Sequence, residues 1–185
     1  EIRKLCDQVA RGCKVCKKFQ KPPAKPRHGG LWARGVNDIV AGDVFKFNVD
    51  NNIHEIVHLI DLFSGWSLLF YVGQRPAAGA DVLETLAAWV AIFGFPRVFF
   101  SDAGGEFSSG TVGEYLAKHN VKNIFSPPQS PFTNGVCERH NQICKIWIGK
   151  LGSDCPNVPL KLIISEAQLI KNHTTRRHNF SAQFL

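Results

Sequence analysis

Residues 99–110 read FFSDAGGEFSSG and residues 126–145 read SPPQSPFTNGVCERHNQICK, and these two stretches decide the fold. Asp102 follows an apolar run and precedes Ala103-Gly104-Gly105, which predicts that it lies where a buried strand ends and a loop begins. Open α/β sheets form their ligand sites at that end of a strand. Glu138 falls near the start of a predicted helix. Both carboxylates are therefore candidate site residues.

The helix that contains Glu138 has apolar positions at a spacing of three or four residues, which is typical of a stripe that faces the core. We expect this stripe to contain Val136, His140, Ile143, Trp147 and Leu151. His140 is interpreted as a packed histidine rather than a ligand. Glu138 and Lys145 share a different face with Gln142 and Gly149, an arrangement suited to a cation and an anionic polymer.

A third acid, Asp43, lies within the strand-like run 39–47. Burying a charged residue in such a strand is costly unless the charge is paired or binds a metal. Between Asp43 and Asp102 lie 58 residues, and between Asp102 and Glu138 lie 35. Three carboxylates brought together repel one another, so divalent cations are expected to neutralise them. Ligands that are all oxygen favour Mg²⁺ or Mn²⁺ over zinc.

This spacing, with its flanks, resembles the catalytic core of integrases from retroviruses and long-terminal-repeat retrotransposons, whose signature is two aspartates and a glutamate with this last interval. The similar segments are HLIDLFSGW (58–66), GFPRVFFSDAGGEF (94–107) and SPFTNGVCERHN (130–141). The resemblance runs from about Val9 to the C-terminus. It implies a ribonuclease H-like fold, a mixed five-stranded sheet flanked by helices, preceded by the end of a small zinc-binding helical segment. Asp61, within the first segment, is interpreted as a polar residue outside the catalytic set.

The resemblance implies an integrase, a DDE-type polynucleotidyl transferase that integrates DNA by two-metal phosphoryl transfer. In this family, water trims the end of the element's DNA, and the exposed 3′-hydroxyl then attacks a phosphodiester of host DNA. Asp43 is expected to bridge two Mg²⁺ or Mn²⁺ ions, while Asp102 completes one site and Glu138 the other. Glu106 is expected to support the loop after Asp102.

Two other functions stay open. Ala103 stands where the family usually has Asn, and the ends are fragmentary, so a decayed or co-opted core that binds nucleic acid or a protein without catalysis is the alternative. A ribonuclease of the same fold would share the metal site, although the segments around Asp102 and Glu138 argue against it.

Candidate DNA contacts are a loop residue, a helix lysine and a basic arm. By resemblance, Asn134 touches the DNA end, although Asn134-Gly135 also fits a plain turn. Lys145 is a candidate phosphate contact or a solvated lysine. Residues 1–28 carry nine Lys/Arg, including Lys14, Lys17 and Lys18, against two acids, whereas the remainder carries 13 of each sign. Such an arm suits DNA phosphates or a solvated linker. The implied partners are the element's DNA ends, target DNA and further copies of the chain.

Cys13 and Cys16 form a single Cys-x-x-Cys pair, a weak signal because a closed zinc site needs four ligands. In the family, two histidines precede such a pair, so the resemblance implies half of a Zn²⁺ site of the full-length N-terminal domain. We therefore predict three segments: the C-terminal part of a zinc-binding domain (1–21), a basic proline-rich linker (22–36) and the catalytic domain (37–185). The other cysteines, Cys6, Cys137, Cys144 and Cys155, are expected to be reduced thiols.

The remaining pattern predicts a globular α/β protein. Strands are expected near 44–49, 54–62, 66–72, 97–101 and 121–125, and further helices near 82–93, 112–119 and 159–171. No apolar run approaches the roughly 18 residues that cross a bilayer, so no membrane is expected as a partner. The chain contains no Met, and we expect an internal fragment of a longer protein. The resemblance implies the nucleus, after passage through the cytoplasm.

Overall fold

The structure, a computed structural model, describes residues 32–126, 135–174, 176–177 and 180–182. Its first half contains three consecutive strands, then a helix, a strand, a helix and a strand. These are β1 (Ile39–Val49), β2 (Asn52–Asp61), β3 (Ser67–Gly73), α1 (Gly79–Phe93), β4 (Val98–Ser101), α2 (Gly110–Lys118) and β5 (Lys122–Phe125). Two helices and a small hairpin follow: α3 (Gly135–Asp154), α4 (Leu160–Thr174), β6 (Arg176–Arg177) and β7 (Phe180–Ser181).

Five of the strands form one mixed sheet in the order β3-β2-β1-β4-β5. The pairs β1–β2 and β2–β3 are antiparallel, whereas β1–β4 and β4–β5 are parallel. The predicted mixed five-stranded sheet flanked by helices is therefore confirmed. No helix among the described residues has both the length and the apolar character to cross a membrane.

A two-residue turn joins β1 to β2. Val49 pairs with Asn52, so only Asp50 and Asn51 lie between the strands. Both have positive φ, 48° and 63°, the conformation of the tight turns whose twist matches that of a hairpin. Asp and Asn tolerate this left-handed region better than most residues. The turn fixes which residues of β2 point to each face of the sheet.

Helices α1 and α2 cover one face of the sheet, and α3 and α4 pack against the other. Alternate residues of β1 and β2, such as Val40, Val57 and Leu59, pack on the first face with Trp89 of α1, which is fully buried. Phe45 and Ile56 point to the second face and pack against α3 and α4. Gly94, at φ 76°, ends α1 by donating its N–H to the Val90 carbonyl. The helix therefore ends at Phe93, as the expected range near 82–93 requires.

The expected apolar stripe of α3 is displaced by one residue. Its buried positions are Cys137, Asn141, Cys144 and Ile148, while Val136 is 44% exposed. His140, Ile143, Trp147 and Leu151 lie half-buried beside the stripe. The pattern misled because two thiols and an amide occupy the buried face. Burial of the amide is stabilised by its hydrogen bonds to other polar side chains.

Gly42 allows β1 to pass close to the core beneath it. A Cβ at this position would lie 2.7 Å from Phe99 Cζ and 2.8 Å from Phe107 Cε1, and both rings are fully buried. Gly42→Ala is therefore expected to lower the free energy of unfolding by about 1–3 kcal/mol through overpacking. Urea unfolding measures it. The control Gly113→Ala, with open space around its Cβ in α2, should gain about 0.5–1 kcal/mol. Equal stabilities of the two variants would contradict this reading of Gly42.

Candidate active site at the edge of the central sheet

The sheet places two of the predicted acids at the same level. The parallel ladder between β1 and β4 ends with the pair Gly42 and Ser101, so the next residue of each chain is an aspartate. Asp102 directly follows β4, as the sequence predicts, and Asp43 lies within β1, which continues to Val49. Because both follow the last paired residues, Asp43 and Asp102 flank the point where the two strands part.

Glu138 lies in the first turn of α3 with an exposed side chain. Its charge reaches Asp43: burial raises the pKa of Asp43 above its usual value, and the charges of Asp102 and Glu138 raise it further. The same acids surround Cys137, whose pKa is raised to about 12, first by burial and then by the charge of Asp43. The structure therefore brings Asp43, Asp102 and Glu138 to one edge of the sheet.

Hydrogen bonds already hold the Asp43 carboxylate. Asn141 Nδ2 donates to its Oδ2 over 2.6 Å, and the Val44 N–H donates to its Oδ1 over 2.9 Å. Both bonds favour the ionised form and partly oppose the rise in the pKa of Asp43. Within residues 32–126 and 135–174, no three His, Cys, Asp or Glu side chains lie close enough together to hold a metal ion.

A glycine shapes the loop after Asp102. The Gly104 N–H donates to Asp102 Oδ1 over 3.1 Å. A Cβ on Gly104 would lie 2.8 Å and 2.9 Å from the two carboxylate oxygens of Glu106 and 3.0 Å from Asp102 Oδ1. The Glu106 carboxylate therefore lies against Gly104 within this loop, the position that its predicted supporting role requires. A side chain at residue 104 would push the carboxylates of Glu106 and Asp102 apart.

Lys145 is exposed on α3, two turns beyond Glu138, and its Nζ lies 5.6 Å from the centroid of the Phe45 ring. Phe45 follows Asp43 by two residues, so the ammonium lies near the strand that carries the first acid. The other predicted contacts, Asn134, Lys14, Lys17 and Lys18, lie outside the described residues. So does the predicted zinc pair, Cys13 and Cys16.

Three buried polar residues are missing from the predicted set: His58 and Asn141, which adjoin Asp43, and Lys171 of α4. Each interrupts an apolar pattern. His58 lies in the run HLID, and Lys171 falls on the same helical stripe as Ile163, Ile164 and Ala167. A lysine at such a position is the signal that sequence reasoning overlooked, because buried lysines are rare unless they have polar partners.

Asp61 has a structural role at the end of β2. Its Oδ1 accepts the Asn37 N–H over 2.9 Å, and its Oδ2 accepts both the N–H and the hydroxyl of Ser64 over 2.6 Å. The Ser64 bonds close the turn before β3, and the Asn37 bond ties the segment before β1 to the end of β2. The residue therefore behaves as the sequence suggests, as a polar group near a sheet end, separate from the three acids.

The fold and this cluster of acids can be compared with known proteins. The family model described as "Integrase core domain" matches residues 33–131, a range that includes Asp43 and Asp102 and ends before Glu138. The Gag-Pro-Pol polyprotein of human T-cell leukemia virus 2 is 26% identical over 157 residues, which cover 84% of this chain and 10% of that protein. The Pro-Pol polyprotein of feline foamy virus is 30% identical over 125 residues, covering 66% of this chain and 10% of that protein. The chain thus spans about a tenth of the length of these relatives.

Two solved structures show the same fold. A simian T-cell lymphotropic virus intasome in complex with the PP2A regulatory subunit B56 gamma aligns with a TM-score of 0.80 at 24% identity, covering 94% of this chain and 62% of that chain. The HTLV-2 integrase catalytic core domain in complex with magnesium aligns with a TM-score of 0.71 at 22% identity, covering 84% of this chain and 98% of that chain. The implied ribonuclease H-like fold is confirmed. The chain belongs to the integrase core domain family.

Proposed function

We propose that this chain is the catalytic core of an active integrase, which processes the 3′ ends of an element's DNA and joins them to host DNA. One observation carries the proposal: Asp43, Asp102 and Glu138 lie at one sheet edge, where the charges of the last two raise the pKa of the first. Like charges held together are favourable when cations bind between them. The match of residues 33–131 to the integrase core domain family supports DNA joining as the reaction.

The donor set fits a hard divalent cation, because all three side chains offer carboxylate oxygens. Asp43, Asp102 and Glu138 would hold two Mg²⁺ or Mn²⁺ ions. Such ions, when bound, activate the attacking oxygen and stabilise the leaving oxygen of an in-line phosphoryl transfer. The HTLV-2 core domain, a neighbour in fold, was solved with magnesium. Among the described residues, the three carboxylates do not lie close enough together to hold a metal ion. The exposed Glu138 side chain is therefore the one expected to turn towards Asp43 and Asp102 when cations bind.

The remaining residues have binding roles in this proposal. Lys145 contacts a DNA phosphate, and Asn134 touches the DNA end. The basic segment with Lys14, Lys17 and Lys18 contributes further phosphate contacts, while Cys13 and Cys16 hold Zn²⁺ together with ligands of the full-length protein. Copies of the chain assemble on DNA, and the protein acts in the nucleus after passing through the cytoplasm. The structures of similar fold, which include the simian T-cell lymphotropic virus intasome and the trimeric and dimeric HTLV-2 core domains, support the assembly of several copies of the chain.

A branched DNA tests the activity of this chain without its own element ends. In such a substrate a 3′-hydroxyl already lies beside a phosphodiester, so attack requires the acids but little sequence recognition. We expect a joined strand on a denaturing gel with Mg²⁺ or Mn²⁺ and none with a chelator. A folded chain that binds this DNA but joins nothing with either metal would instead support the DNA-binding core without catalysis.

Lys145→Ala is expected to weaken DNA binding at low salt and to reduce the slope of log affinity against log salt by about one, since one phosphate contact is lost. Fluorescence anisotropy of a labelled duplex at several salt concentrations measures both. Lys118→Ala is the matched control, because Lys118 is an exposed helix lysine in α2 on the opposite face of the sheet. The same slope in Lys145→Ala and the wild type would show that this lysine is only solvated.

A further inference from the structure

A row of polar side chains runs through the protein interior from α4 to Asp43. Its members are almost completely buried between the sheet and helices α3 and α4: Lys171 (0% exposed), Ser67 (0%), His58 (1%) and Asn141 (7%). His58 is the cross-strand partner of Asp43 in the β1–β2 ladder. Buried polar groups on this scale are favourable only when their hydrogen bonds are satisfied.

Each member of the row bonds to the next. The Lys171 ammonium donates to Ser67 Oγ and to the Gly65 carbonyl. Ser67 Oγ lies 2.7 Å from His58 Nε2, and His58 Nδ1 lies 2.6 Å from Asn141 Oδ1. Asn141 Nδ2 completes the row by donating to Asp43 Oδ2. An unbroken chain of hydrogen bonds thus connects a buried cation to the first acid of the candidate site.

The chemistry of the two ends fixes the direction of every bond. An ammonium can only donate, so Ser67 Oγ accepts from Lys171. The hydroxyl proton of Ser67 is then left for His58 Nε2, the other side-chain nitrogen within hydrogen-bond distance of this oxygen. His58 is then neutral with its proton on Nδ1, which donates to the Asn141 carbonyl. That leaves the Asn141 amino group facing Asp43. At the other end, an ionised carboxylate can only accept, which demands the same direction.

The protonation states support this pattern. Burial and, after it, the charge of Lys171 lower the pKa of His58 to about 3, so the ring is neutral at pH 7. Burial lowers the pKa of Lys171 to about 8, which still leaves the ammonium largely protonated at pH 7. Among the described residues Lys171 forms no salt bridge, and its buried charge is held by the two oxygens of Gly65 and Ser67.

We propose that Lys171 is a positioning residue, which fixes the hydrogen-bond direction through Ser67 and His58 and so keeps the amino group of Asn141 on Asp43. The inference rests on the proposed function, because Asp43 matters there as a metal ligand. With cations bound to Asp43, its oxygens would attract the Asn141 amino group less strongly. The direction of the hydrogen bonds through Ser67 and His58 would then depend mainly on Lys171. A reversed amide would place its carbonyl oxygen against the carboxylate.

The tautomer of His58 is the direct readout, measured by ¹⁵N NMR of the imidazole nitrogens and assigned by comparison with His58→Gln. Asp43→Asn removes the acceptor-only end of the chain. We expect the ring to keep its proton on Nδ1 in Asp43→Asn and to become a mixture of tautomers in Asp43→Asn/Lys171→Met. A mixture already present in Asp43→Asn, or an unchanged tautomer in the double variant, would overturn the proposal. If Lys171→Met does not fold, Ser67→Ala replaces it with the same expectation.

Mg²⁺ affinity, measured by calorimetric titration, separates positioning from charge. If Lys171 acted only as a nearby positive charge, Lys171→Met would bind Mg²⁺ more tightly. The positioning role predicts binding about tenfold weaker, the low end of what indirect partners of metal ligands cost. Tighter or unchanged binding would overturn it.

Asn172→Ala controls for loss of the contact between α4 and the sheet. Asn172 anchors the helix through the backbone N–H and carbonyl of Ser67, at 2.8 Å and 2.9 Å, but lies outside the directed chain. The Asn172→Ala variant should change neither the tautomer of His58 nor the Mg²⁺ affinity. An effect as large as that of Lys171→Met would show that Lys171 acts only by anchoring α4 to the sheet. If the wild type binds no Mg²⁺ through Asp43, the proposed function fails, whereas the tautomer result still decides the role of Lys171.

Discussion

Glu138→Gln is expected to reduce Mg²⁺-dependent DNA joining by roughly 10³-fold, the order lost when one electrostatic stabiliser of a transition state is removed. The amide has nearly the same size as the carboxylate but lacks the charge that holds a cation. Because Glu138 is exposed, the fold should be unaffected, and the loss of one charge near Asp43 should relieve repulsion. The measurement is the initial rate of joining on the branched substrate.

Glu114→Gln is the matched control for this loss. Glu114 is also an exposed helix glutamate, but it lies in α2, on the opposite face of the sheet from α3. The control variant should join DNA at the wild-type rate. Undiminished joining in Glu138→Gln would remove this glutamate from the catalytic set, whereas an equal loss in both variants would point to a general effect of charge.

Acid is expected to destabilise the protein through His58. The pKa of this imidazole is about 3 in the folded state, against 6.5 for an ordinary histidine. Below pH 6.5 the unfolded chain therefore binds a proton at His58 that the folded protein does not bind. The contribution of His58 to stability is therefore fully present above pH 6.5 and is lost progressively as the pH falls towards 3. The loss amounts to about 5 kcal/mol at most.

The contribution of His58 is isolated by the difference in unfolding free energy between the wild type and His58→Gln. Urea unfolding of the wild type and of His58→Gln at intervals between pH 7 and pH 4 should give a steeper loss of stability for the wild type. Asp43 acts in the opposite direction, because its pKa is raised in the folded state and its protonation favours folding in acid. Since both proteins contain Asp43, its contribution largely cancels. Parallel curves, or an imidazole that takes up a proton near pH 6.5, would contradict the assignment.

Much of the architecture follows from local patterns. The apolar run before Asp102 and the helix expected near 82–93 are each encoded by adjacent residues, and the structure has them where the sequence places them. The strands expected near 44–49 and 54–62 are also found, and the turn at Asp50-Asn51 joins them. The five-stranded order depended on the family resemblance, because strand patterns do not reveal which strands pair. The family then also supplied the spacing that singled out Glu138.

The buried polar row could not be predicted in this way. His58, Ser67, Asn141 and Lys171 are separated by up to 113 positions in the sequence, and their hydrogen bonds form only when the fold brings them together. The same difficulty explains the displaced stripe of α3, where Asn141 is buried because its partners are polar. Patterns that count apolar residues detect a core, but they do not detect polar groups that satisfy one another inside it.

The turn at Asp50 and Asn51 has a consequence for how the gene can vary. Exposed turns usually accept insertions and deletions. Here a single added or lost residue that shifted the β1–β2 register by one would exchange the faces of β2, because side chains alternate along a strand. His58 would then point towards α1, away from Asn141, and Ile56 would leave the core beneath α3 and α4. Viable length changes at this turn should therefore come in pairs of residues.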